Sequence, residues 1–137
     1  MIESDRQSIH DLLVEYCFIV DDRRWQDLTL IYTDDVAFAI PTRAIQLTGL
    51  RSLTDWYEAG RHPAAHLLTN ALIEELDADH ARARSKYLTV QPHGMVGTGE
   101  YADTLVRTGA GWRIRSRVVT VRAAPGLGGD ASSVSPT

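Results

Sequence analysis

The sequence predicts a single α+β domain, helices first and an antiparallel sheet after them, on three observations. A chain of 137 residues with 44% apolar content suits one continuous core. Apolar residues recur at helical spacing near the N-terminus, whereas four long β-patterned stretches joined by short turn-rich links follow from residue 65 onward. That order points to an antiparallel meander rather than a parallel α/β sheet.

Ser4 followed by Gln7 has capping-box spacing, and Ile9, Leu12, Leu13, Tyr16, Cys17 and Val20 form one stripe, so a helix is expected over residues 5–22. Asp22 points away from that stripe, while Asp21 lies on its flank and can look inward. Leu28, Ile31 and Tyr32 keep helical spacing over residues 25–32, before Thr33-Asp34-Asp35 breaks it. Residues 36–40 and 44–47 read as short strands around Pro41-Thr42-Arg43, with Gly49 closing the hairpin. Ser52 with Asp55 marks another helix start, and Leu53, Trp56 and Tyr57 give that helix an apolar face up to Gly60. The four long strands are expected at 65–76, 81–91, 98–107 and 112–122. Residues 124–137 are rich in Gly, Ser and Pro and are expected to be disordered, which leaves 1–123 as the folded domain.

Composition narrows the function classes. Fourteen basic against eighteen acidic residues, a net charge of −4, provide no basic face for a phosphate backbone, so no nucleic acid partner is expected. The single cysteine, Cys17, allows neither an intrachain disulfide nor a Cys-based zinc site, and a cytoplasmic location fits. No basic region followed by an apolar run opens the chain, and no apolar stretch reaches the roughly 18 residues of a membrane span.

The chemistry-bearing candidates follow from periodicity. An uninterrupted period of two puts His66, Leu68, Asn70 and Leu72 on one face of their strand. A buried histidine or amide without partners costs about 1–3 kcal/mol, so polar residues on such a face mean a network or a wet cavity. Asp21 is the natural partner for His66. Its carboxylate sits at the negative end of a helix dipole, and a protonated His66 would compensate it. Taken singly, Asp21 reads as a solvated helix end and His66 as a satisfied core residue; taken together they suit proton transfer.

Tyr16 lies on the buried stripe, where its hydroxyl either donates into a pocket or has a local partner. Tyr87 alternates with Ser85 and Thr89 opposite Arg82, Arg84 and Lys86, which makes it the pocket-facing residue of its strand. Trp56 is a candidate pocket wall, although Trp25, Trp56, Tyr57 and Trp112 are all compatible with packing. His62 and His66 have H-x3-H spacing, but Pro63 interrupts it, and no metal or cofactor is expected. Gly94, Gly97 and Gly99 lack the lysine and helix start of a phosphate loop. Cys17 reads as a small apolar residue rather than a nucleophile.

These residues, in this order, resemble the SnoaL-like, scytalone dehydratase-like branch of the nuclear transport factor 2-like superfamily. The resemblance rests on Ile9-His10-Asp11-Leu12-Leu13 through Tyr16 to Asp21 with Trp25, on Gly49-Leu50-Arg51 and on His66-Leu67-Leu68-Thr69-Asn70. Gly99-Glu100-Tyr101-Ala102-Asp103, Arg107, Gly111-Trp112-Arg113-Ile114 and Arg117 complete it. It implies a cone-shaped curved antiparallel sheet that encloses a pocket with the N-terminal helices, and a homodimer formed through the open sheet face. It also implies acid–base roles for Asp21 and His66. The second histidine of the dehydratases is absent, since that region reads Ser85-Lys86-Tyr87-Leu88. Tyr16 resembles the oxyanion-binding tyrosine of ketosteroid isomerases, whereas their catalytic base has no counterpart, Ile40 preceding Pro41 instead.

The expected function is a cofactor-independent dehydratase, isomerase or cyclase acting on a small, largely apolar oxygenated molecule. His66 and Asp21 would move the proton, and Tyr16, Asn70 or Tyr87 would hold the oxygen. The other reading is a non-catalytic binding or assembly module of the same fold.

Overall fold

The computed structural model describes residues 2–122, so the expected tail at 124–137 lies outside the described residues. The chain runs α1 (Ile2–Asp21), a 3-10 helix (Trp25–Leu30), β1 (Tyr32–Ile40), a 3-10 turn (Pro41–Arg43), β2 (Ile45–Thr48) and α2 (Leu50–Ala59). The strands β3 (Ala65–Leu76), β4 (His80–Val90), β5 (Val96–Thr108) and β6 (Gly111–Arg122) follow. All six strands form one sheet in the order β2-β1-β6-β5-β4-β3.

The α+β class, the first hairpin and the four-stranded meander are as the sequence predicts, with these corrections. Helix α1 begins at Ile2, so Ser4 lies inside its first turn, where Glu3 and Asp5 complement the positive end of the dipole. Residues 25–32 do not make an α-helix. Six of them form the 3-10 helix, and Tyr32 already belongs to β1, because the Ile31 carbonyl accepts the Ile114 N–H of β6 at 2.7 Å. Helix α2 starts at Leu50, after Gly49 at φ 94°, rather than at Ser52. The sheet is antiparallel except that β1 joins β6 in parallel, pairing Ala37–Ala39 with Ser116–Val118. Such a pairing needs a long crossover, which α2 and β3 to β5 provide.

The predicted helical stripe is the centre of the core: Ile9, Leu12, Leu13, Tyr16, Cys17 and Val20 are all buried, and Ile19 joins them. The sheet curves around this stripe. In a flat sheet, four spacings of about 4.8 Å would separate β1 from β3. Yet the Tyr16 ring lies 6.2 Å from Tyr32 on β1 and 6.3 Å from His66 on β3.

One irregularity decides which side chains face inward. On β3 the register runs Leu68 opposite Tyr87 and then Asn70 opposite Lys86, a bulge that absorbs Thr69 and inverts the alternation. His66 and Leu68 stay inside, but Asn70 and Leu72 turn to the exposed face beside Lys86 and Arg84. The expected pocket role of Asn70 is therefore overturned by one extra residue in the strand.

Candidate active site

Asp21 occupies the last turn of α1, and His66 is the second residue of β3, which is an edge strand. An edge strand presents main-chain N–H groups with no strand to receive them, and α1 supplies the acceptors. The His66 N–H lies 3.0 Å from each Asp21 carboxylate oxygen. Residues i and i+4 of a helix are about 6 Å apart along the axis, close to the roughly 6.8 Å between i and i+2 of a strand. The two spacings run antiparallel, and Cys17 and Leu68 line the same cavity as Asp21 and His66.

The same carboxylate reaches the imidazole, with Asp21 Oδ1 2.7 Å from His66 Nδ1. An ionised carboxylate only accepts, so Nδ1 carries the proton and a neutral ring exposes its lone pair at Nε2. That nitrogen is buried without a hydrogen-bond partner among the described residues, and the His66 side chain has no exposure while Asp21 keeps 25%. The arrangement fixes the ring orientation and leaves Nε2 as the nitrogen able to accept a proton.

Tyr16 stands edge-on to His66, and its hydroxyl shares a 2.6 Å hydrogen bond with that of Tyr57 on α2. Of the two meanings left open, Tyr16 has the local partner, and its ring borders the histidine. Burial, reinforced by the neighbouring tyrosines and opposed by Arg117, holds Tyr16 well above the usual phenol range, so it remains a neutral donor. Tyr87 is buried on β4, stacked on Tyr101 at 4.7 Å, and Tyr101 in turn meets Tyr16 at 5.9 Å. Burial pushes the Tyr87 phenol up to about 12, with Arg43 acting the other way. The Ser85, Tyr87 and Thr89 hydroxyls face inward in a row and have no partner among the described residues, and Thr89 lies directly across from His66. Trp56 is removed from the base: it packs on Phe38 at 5.4 Å and on Tyr57 at 5.0 Å, so Tyr57 lies between it and Tyr16.

Sequence reasoning missed one component. Asp103 on β5 and Arg117 on β6 face each other in register and form a two-pronged ion pair of 2.7 and 2.8 Å, both residues buried. The guanidinium is sandwiched 3.9 Å from the Tyr101 ring and 4.5 Å from Tyr16. Burial opposes its charge, but Asp103, Tyr32 and Tyr16 together hold its pKa above the ordinary guanidinium value. Strand alternation was the available signal, because it puts Asp103 beside Tyr101 and Leu105, and Arg117 beside Val119, on inward faces.

The remaining candidates are structural. His62 is buried, its ring pairing with the Tyr57 carbonyl and packing on Trp25. Burial pushes the Cys17 thiol up to about 11, which leaves it protonated near neutral pH. Among the described residues no group of three His, Cys, Asp or Glu side chains could hold a metal ion, and no helix is long and apolar enough to cross a membrane. A mainly apolar cavity of about 240 Å³ touches the Asp21–His66 pair and is lined by Val14, Cys17, Phe18 and Leu67–Leu68 as well.

Comparison with known proteins places the chain in a family. The SnoaL-like domain profile matches residues 3–118. An uncharacterized protein of Mycobacterium tuberculosis strain H37Rv is 34% identical over 130 residues, 85% of each chain. Among solved structures, a Novosphingobium aromaticivorans protein assigned as a scytalone dehydratase superposes with a TM-score of 0.75 at 19% identity, covering 93% of this chain and 95% of that one. The β subunit of an assigned aromatic-ring-hydroxylating dioxygenase from the same organism gives 0.70 at 18%, covering 90% and 92%.

Proposed function

Since the chain belongs to the SnoaL-like domain family, we propose that it is a cofactor-independent acid–base enzyme of the dehydratase, isomerase or cyclase type. Its substrate is a neutral, largely apolar oxygenated molecule with an acidic C–H next to a carbonyl. The observation that carries this reading is the free, buried Nε2 of His66 behind an Nδ1–H fixed on Asp21. Nε2 takes the proton, the C–H electron pair moves into the carbonyl to give an enolate, and the imidazolium is stabilised by Asp21. The Tyr16 hydroxyl, kept neutral by burial, donates toward the enolate oxygen, with Tyr57 behind it. Return of the proton at another carbon gives isomerisation. Loss of a β-hydroxyl as water gives dehydration, and attack on a second carbonyl gives cyclisation.

The test is exchange of substrate C–H for deuterium in D2O, followed by NMR across a panel of neutral cyclic ketones and β-hydroxy ketones. His66→Ala should slow exchange of the responsive compounds by about 10² to 10⁴. A loss under tenfold would sink the assignment.

A second reading is a non-catalytic module of the same fold, and the packing favours it in one respect. Tyr16, Tyr32, Tyr57, Tyr87 and Tyr101 fill the interior at 1% exposure or less. It predicts that no compound of the panel exchanges in the presence of the protein.

A further inference from the structure

The base and its carboxylate come from different elements, so their contact depends on how the end of α1 is held against the start of β3. Helix α1 ends in a Schellman motif: the Arg24 N–H donates to the Ile19 carbonyl at 3.0 Å and the Arg23 N–H to Val20 at 3.2 Å. The residue in the left-handed position of that motif is usually glycine, because a Cβ is strained there. Here it is Arg23, at φ 57°.

Its side chain makes use of the position. Arg23 Nη1 donates to the Val20 carbonyl at 2.7 Å, and Nη2 donates to the Pro63 carbonyl at 3.0 Å. One planar guanidinium thereby ties the residue before Asp21 to a residue three before His66, and it lies 6.0 Å from the Trp25 ring. Resting on the acid–base reading above, we propose that Arg23 is a positioning residue, a strap that sets the register of α1 on β3 and with it the Asp21–His66 contact.

A glycine cap and a strap make opposite predictions for Arg23→Gly. If Arg23 only terminates the helix, glycine relieves the strain and leaves the His66 ring as it was. If it is a strap, the variant melts close to wild type, yet the His66 ring loses its single Nδ1–H tautomer. The His66 amide, bonded to Asp21, should then exchange at least about tenfold faster. Both are read by ¹⁵N NMR of the full chain without substrate, alongside a thermal melt. Arg23→Met keeps an unbranched side chain but has no donor for either carbonyl, so it should show the same loss, and it serves if the glycine variant does not fold. Retention of the wild-type tautomer and exchange rate in a folded variant overturns the strap. Absence of the Nδ1–H tautomer in the wild type overturns the acid–base reading instead.

Discussion

Two carboxylates in this protein each hold a cationic or potentially cationic side chain, and they hold it in opposite ways. Asp103 grips Arg117 with both oxygens in the middle of the sheet, where neither side chain exceeds 1% exposure. Asp21 holds His66 at the sheet edge, takes a main-chain N–H as well, and leaves the far ring nitrogen without a partner among the described residues. In the first pair the charge is matched and enclosed by the Tyr16 and Tyr101 rings. The second fixes a tautomer and presents a lone pair. A buried ion pair with every group matched leaves no atom free for chemistry, whereas an oriented histidine with an unused nitrogen keeps one.

The comparison breaks most visibly under mutation. Asp103→Ala strands a buried guanidinium and should cost about 3–5 kcal/mol in urea unfolding, while the double variant Arg117→Met with Asp103→Leu should recover most of the loss. Comparable destabilisation by single and double variants would mean that the pair does more than balance its own charge. His66→Ala leaves no charge unmatched, since Asp21 keeps solvent and the residue 66 N–H, so it should act on rate far more than on stability.

Gly99→Ala comes next in size. A Cβ there would lie 2.4 Å or less from the Tyr87 ring and hydroxyl and from the Thr120 carbonyl, so Tyr87 or the strand must move. A loss of about 1–3 kcal/mol is expected, with a changed near-UV tyrosine signal. An unchanged signal would show that Tyr87 does not lie across the Gly99 backbone.

Asp5 gives a smaller, pH-dependent effect. Hydrogen bonds from Arg107 and from the Trp112 indole lower its pKa. The folded value lies below the unfolded one, about 4, so this contribution is present above that pH and disappears as pH falls through the folded value. Asp5→Asn should therefore be less stable than wild type at pH 6, with the difference closing on acidification. Asn70→Ala should be the smallest change, within about 0.5 kcal/mol and without effect on activity, since Asn70 sits on the outer face.

These cases also show what a sequence can and cannot carry. The helical stripe, the meander and the inward turn of Asp21 were legible because each follows from an unbroken local period. Asn70 was misplaced because a bulge at Thr69 changes a period of two, and no residue type at that point signals it. Arg117 and Asp103 are fourteen positions apart on different strands, so their pairing depends on register rather than on spacing. The parallel β1–β6 contact is likewise a property of closure, invisible in either strand alone.

The central claim is that Asp21 holds His66 with its proton on Nδ1 and its lone pair on Nε2. Long-range ¹H–¹⁵N NMR of the imidazole reports this directly in the full chain, near neutral pH and without substrate. The account predicts a single Nδ1–H tautomer in the wild type that gives way to a mixture in Asp21→Ala. A ring protonated on Nε2, or one unaffected by loss of the carboxylate, would contradict it.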